Sequence, residues 1–147
     1  MISNEAYIEC VPNFSEGRNL ETINAIAEAI RSVDGVRVLH VDRGEAANRT
    51  VITFVGAAPS VVEAAFRMVK RASELIDMRA HQGEHPRIGA TDVLPLIPLK
   101  NITLAECAEL ARGLAERIYK ELGIPYQLEG IDAVKKSRIE EIKSFVK

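Results

Sequence analysis

Along this 147-residue chain the spacing of apolar residues changes several times, and each change marks an expected element. "AYIECV", Ala6 to Val11, is a short apolar run stopped by Pro12 and Asn13, which predicts a strand ending in a loop. From Asn19 the period lengthens: Leu20, Ile23, Ile26, Ala27, Ile30 and Val33 recur at three and four, one face of a helix with Asn19 as N-cap and Asp34-Gly35 as its end. "GVRVLHVD" sets Val36, Val38 and His40 against Arg37, Leu39 and Val41, which predicts a strand with two largely covered faces. The polar "RGEAANR" then leads into the β-branched "TVITFVG", so the two strands are expected to pair antiparallel.

Pro59 stands where the first turn of a helix tolerates it, followed at helical spacing by Val62, Ala65, Phe66, Val69, Ala72, Ser73 and Ile76. "DVLPLIPL" reads as a strand, but Pro95 and Pro98 each remove a ladder donor and confine it to an edge, a bulge or short segments. Thr103 and Glu106 form a capping-box pattern ahead of Leu104, Cys107, Ala111, Leu114, Ala115, Ile118 and Leu122, and Gly123 stops that helix. "IPYQLEG" predicts a last short strand and Ile131 to Val146 a fourth helix. The order is βαββαβ followed by αβα. It predicts an α/β (α+β) fold: a ferredoxin-like βαββαβ sandwich with an added helix, short strand and C-terminal helix, as a single domain over 1–147. Right-handed crossovers would put the first two helices on one sheet face.

Composition narrows the partners. Nineteen basic and 21 acidic residues leave a formal charge of −2, too little to draw in nucleic acid or an anionic membrane. The basic excess in "KKSRIEEIKSFVK" reads as the wet face of the last helix. Aromatics are sparse at 5%, so the expected core is Val, Ile, Leu and Ala. Cys10 and Cys107 fall on apolar patterns and do not make a disulfide framework. "MISNEAYIEC" lacks the basic and apolar regions of a secretory signal, and no run approaches membrane-spanning length, so a soluble cytoplasmic protein is expected.

The candidate chemistry gathers in "HQGEHPRIGATDVLPLIPL", residues 81 to 99. His81 and His85 have the i, i+4 spacing of two zinc ligands on a helix, with Glu84 between them. Gly83 and Pro86 disfavour a regular helix here, the carboxylate lies beside the wrong histidine for a metalloprotease, and only His40 and Asp92 offer further ligands. No metal is expected, although a metal site built on His81 and His85 stays an alternative. A catalytic loop suits the residues better: Gly83, Pro86 and Gly89 can hold His85 in one orientation, between a carboxylate and an arginine, as a proton carrier near neutral pH. A loop histidine bonded to nearby backbone remains open as well.

"ECVPNFSEGRN" at 9 to 19, "NRTVITFVG" at 48 to 56, "LIDMRAHQGEHPRIGATDVLPLIPL" at 75 to 99 and "EC" at 106 to 107 closely resemble the N-terminal subdomain of glutamate formiminotransferase, the transferase part of formiminotransferase-cyclodeaminase. The likeness runs in order from about Glu9 to about Pro125. The resemblance implies an enzyme of histidine breakdown that moves a formimino group from N-formimino-L-glutamate to N5 of tetrahydrofolate, the folate being a co-substrate. It implies His85 as the catalytic acid and base, Asp42 as its orienting or relay partner, and Asn13, Arg49, Gly83 and Arg87 along the site. Read from the residues alone, Arg49 could equally be a solvated strand-end charge, and Asp42 and "VPNFSEG" turn residues. Formiminotransferases continue into a second, similarly folded subdomain, with folate in the groove between the two. Three expectations follow: a separate C-terminal-subdomain-like chain completes the site, a homodimer imitates the groove, or the chain is a non-catalytic folate-binding or subunit-interaction module.

Overall fold

The computed structural model describes residues 5–77 and 90–125. Its first strand is broken in two, β1 (Tyr7–Cys10) and β2 (Asn13–Phe14), with Pro12 in the gap where a ladder donor is missing. Helix α1 (Leu20–Arg31) follows, and the Asn19 side chain accepts from the Thr22 N–H at 3.2 Å, as an N-cap should. Strands β3 (Val36–Gly44) and β4 (Arg49–Ala57) form a hairpin, and α2 (Ala58–Leu75) begins with Pro59 in its first turn. The "DVLPLIPL" strand is also split, into β5 (Thr91–Val93) and β6 (Leu96–Lys100), with Pro95 in the break. Helix α3 (Leu104–Leu122) carries the expected capping box between Thr103 and Glu106, and Gly123 ends it at φ 70°, in the left-handed region. The expected last strand is not formed at Ile124 and Pro125; its remainder and the expected fourth helix lie outside the described residues.

Pairing is antiparallel throughout. β1 lies between β4 and β6, β2 between β4 and β5, and β3 adds to the far side of β4. Taking the split strands as units, the spatial order is fourth, first, third, second, which is the ferredoxin-like arrangement predicted from the order of elements. Pro98 is accommodated because β6 is an edge strand among the described residues.

One face of the sheet is closed by helices. Ile8, Cys10, Phe14, Ile52 and Phe54 pack there against Ile23, Ile26 and Ile30 of α1 and Val61, Ala65, Met68 and Val69 of α2. Both helices lie on this face, the result right-handed crossovers require. Helix α3 packs on α2 and β6 through Cys107, Leu114 and Ile118. Arg117 lies 3.7 Å above the Phe66 ring and donates to Glu63 at 3.1 Å, joining α3 to α2 through its stem and its charge together.

One expectation for β3 fails. Among the described residues it is the other edge strand and pairs only with β4, and it is half-exposed rather than covered on two faces. Its alternation also breaks. Val38 pairs with Phe54 but His40 pairs with Thr53, so Leu39 is an extra residue, a β-bulge. As a result Val36, Val38 and Val41 share the helix side of the sheet, while His40 and Asp42 turn to the other.

Candidate functional site

The face away from the helices carries the polar residues. In β4, Thr50, Ile52 and Phe54 are fully buried on the helix side, so Arg49, Val51, Thr53 and Val55 point to the opposite one. Asn13 of β2 and Asp42 of β3 both lie opposite Val51, one from each neighbouring strand. Directly paired residues share a face, so Asn13, Val51 and Asp42 form one row across the sheet, about 10 Å from end to end at two strand spacings. Arg49 sits two residues back along β4 on the same side, opposite Gly44. Asn13 is buried, Arg49 is half-buried and Asp42 is exposed. Among the described residues no carboxylate pairs with Arg49, and no basic side chain with Asp42. Three predicted site residues thus share one end of one sheet face.

A backbone latch holds this end together. Gly17 donates its N–H to the Asn48 Oδ1 at 2.9 Å, Thr50 donates its hydroxyl to the Glu16 carbonyl, and the Arg18 guanidinium donates to the Glu45 carbonyl at 3.0 Å. Asn48 adopts φ 52°, a left-handed conformation that asparagine tolerates better than most residues. Only glycine fits at 17, since an added Cβ would come within 2.6 Å of the Arg49 nitrogen and would collide with the Gly44 carbonyl. The "VPNFSEG" motif is therefore more than a turn and a cap, because it fixes β2 and the start of α1 against the β3–β4 hairpin.

His81, Gly83, His85 and Arg87 lie outside the described residues. The described chain resumes at Ala90, whose carbonyl accepts from the Ser15 N–H at 2.8 Å, and β5 then pairs with β2 at Phe14 and Asn13. Ala90 is thereby anchored beside the strand that carries Asn13. Among the described residues no group of three His, Cys, Asp or Glu side chains is placed to hold a metal ion.

The sequence profile of the formiminotransferase domain, N-terminal subdomain, matches residues 7–144. The chain belongs to this family. The match reaches further toward the C-terminus than the motifs that carried the resemblance. A glutamate formimidoyltransferase of Thermoplasma acidophilum is 52% identical over 121 residues, 82% of this chain and 40% of that one. A glutamate formimidoyltransferase of Streptococcus pyogenes serotype M1 is 49% identical over 131 residues, 89% of this chain and 44% of that one. The formimidoyltransferase-cyclodeaminase of Rattus norvegicus is 50% identical over 131 residues, 89% of this chain and 24% of that one. This formiminotransferase subdomain therefore spans less than half the length of these relatives.

Residue reasoning missed one group on the site face. Glu9, within the apolar "YIEC" of β1, is buried on the same side as Asn13, although nothing beyond its place in a motif had singled it out. The sequence carried no such signal: a carboxylate alternating with Ile8 and Cys10 reads as the wet face of a one-sided antiparallel sheet, and only its burial in the structure singles it out. Burial pushes its pKa up to about 7.

Proposed function

We propose that this chain is the N-terminal subdomain of a glutamate formiminotransferase, a one-carbon transferase that moves the formimino group of N-formimino-L-glutamate to N5 of tetrahydrofolate in histidine degradation. The observation that carries the reading is the collection of Asn13, Asp42 and Arg49 on one end of one sheet face, in a chain about half identical to named formimidoyltransferases. Folate N5 attacks the formimino carbon and passes its proton to the His85 imidazole, which gives it to the departing glutamate nitrogen as the tetrahedral adduct collapses. Asp42 holds the imidazole's tautomer and stabilises the imidazolium. Arg49 and Arg87 suit the glutamate carboxylates, since a guanidinium offers two parallel donors. Asn13 and Gly83 line the same site. No metal has a part in this chemistry.

A second, similarly folded unit completes the groove, whether as a further part of the same polypeptide, a separate chain or a second copy. Val51, Thr53 and Val55 on the sheet's site face are half-buried β-branched residues, suited to floor a groove that such a unit closes. A cytoplasmic location fits the substrates.

The test is formimino transfer by the protein in its natural assembly, purified gently from its source. His85→Ala should abolish transfer while the circular dichroism spectrum is kept, and Asp42→Asn should lower kcat with less effect on KM. Undiminished transfer by the His85 variant would remove that residue from the mechanism, and absence of transfer by the parent assembly would remove the reading itself.

A further inference from the structure

Glu9 is the one charged residue of β1. The strand's alternation sends Ile8 and Cys10 into the helix-side core and turns Glu9 to the face that holds Asn13, Asp42 and Arg49. β1 is an inner strand, and Glu9 is flanked by Val55 of β4 on one side and Ile97 of β6 on the other. Neither side chain can offer it a hydrogen bond. Glu9 is 1% exposed, and among the described residues its Oε2 has no hydrogen-bond partner. Thr91 Oγ1 is also buried without a partner among the described residues, but it is a neutral hydroxyl in a half-buried residue, and Phe14, directly opposite it, is on the helix side. A carboxyl group carries a far larger desolvation cost, and buried polar groups in folded proteins are nearly always satisfied, so an orphan carboxylate on a site face calls for a partner beyond the described residues.

Position and chemistry restrict that partner. Glu9 and Asn13 are four residues apart along one edge of β4, roughly 13 Å at the rise of a strand. Between these two positions β4 presents Val51, Thr53 and Val55 on the same face, a β-branched floor that suits a flat bicyclic ring lying along the sheet. A carboxylate with hydrocarbon on both sides recognises two adjacent N–H donors on the rim of such a ring, which it can accept in parallel. The tetrahydropterin ring carries that pair, N3–H and the 2-amino group, at the end opposite N5. With N5 toward the Asn13 and Asp42 row, the donor pair points to Glu9.

We infer that Glu9 is the residue that binds the aminopyrimidinone edge of the folate's pterin ring and so sets where N5 stands. This rests on the function proposed above and adds to it the orientation of the co-substrate. The probes are 5-formyltetrahydrofolate, its 2-desamino analogue, and p-aminobenzoyl-L-glutamate, which lacks the ring, each titrated calorimetrically into the natural assembly. Glu9→Gln should weaken 5-formyltetrahydrofolate about 10- to 100-fold, the range for losing a charge-assisted hydrogen-bonded contact, and leave p-aminobenzoyl-L-glutamate unchanged. The 2-desamino analogue should bind the parent protein about as weakly as the parent ligand binds the variant, and should lose little more in the variant. That measurement on the unchanged protein stands even if the substitution prevents folding.

Equal affinity of parent and variant for the complete ligand, with the parent binding it, would overturn this inference alone. Equal weakening of all three probes would assign Glu9 a structural role, or a pairing with a basic side chain of the completing unit, and would overturn it too. If the parent assembly binds none of them, the folate-dependent function fails and takes the inference with it.

Discussion

The protonation of Glu9 makes a prediction about stability that needs no ligand. Its carboxyl is buried between Val55 and Ile97, and desolvation moves its pKa from the ordinary 4.5 to about 7. The folded chain therefore holds this proton to a higher pH than the unfolded chain does. The resulting stability is complete below about pH 4.5 and is lost as pH rises through about 7. A tenfold difference in proton affinity is worth about 1.4 kcal/mol, so the full effect is about 3 kcal/mol, most of it lost between pH 5 and pH 8. Glu9→Gln removes that titration. Its absolute stability is not the quantity of interest, because the glutamine amide also lacks a partner; the change of stability with pH is. Urea unfolding at pH 5, 6, 7 and 8 measures it, and with a denaturant slope of about 1.5 kcal/mol per molar the parent midpoint should fall by roughly 1.5 M more than the variant's. Every other titrating group is common to both proteins and cancels in the comparison. Parallel curves would mean that Glu9 is hydrated or paired in solution, and the argument from its burial would fail.

Two further outcomes follow from the packing. Gly17→Ala should cost about 2 to 3 kcal/mol in urea unfolding, as overpacking against backbone does, because the new Cβ would meet the Arg49 nitrogen at 2.6 Å and break the latch to Asn48; unchanged stability would show that the hairpin can yield there. Cys10, fully buried and raised well above the usual thiol range by burial first and the neighbouring Glu9 second, should react with a disulfide reagent at pH 8 only as fast as the chain unfolds, and Cys107, raised to about 11 chiefly by burial, should lag likewise. Labelling of the native protein at the rate of a free thiol would contradict both placements.

How much of this was legible in the sequence depended on whether the controlling interaction was local. The caps at Asn19, Thr103 and Gly123 are set within one helical turn, and all three stand where the residue types placed them. The strand order also followed, since the succession of elements and right-handed crossovers leave few other arrangements. The bulge at Leu39 was not legible. It arises from the register of β3 on β4, and alternation read from β3 alone put His40 on the same side as Val38. The cover expected on both faces of β3 failed for a related reason, because an apolar strand at a sheet edge and one at its centre can share a composition. Of the expected site residues, Asn13, Asp42 and Arg49 come from three strands. Only the pairing of all three on β4 reveals that they share a face.

The same pairing explains why one sheet can serve as both core and site. On the helix side the inner strands present Ile8, Cys10, Phe14, Ile52 and Phe54, with the Thr50 hydroxyl bonded to the Glu16 carbonyl, which meets the requirement for dense packing and leaves little place for chemistry. On the other side the same strands alternate into glutamate, asparagine, arginine, threonine and valine, a mixture that neither a sealed core nor a fully solvated face would select. The bulge extends that mixture to the edge, because the extra residue at Leu39 reverses the sides taken by the rest of β3 and brings Asp42 level with Asn13. Without the reversal, Asp42 would face the core, where its charge would cost several kcal/mol and could orient nothing on the site face. A one-residue irregularity at an edge strand is therefore what lets a carboxylate in "VDRG" and an amide in "VPNF" act on the same molecule.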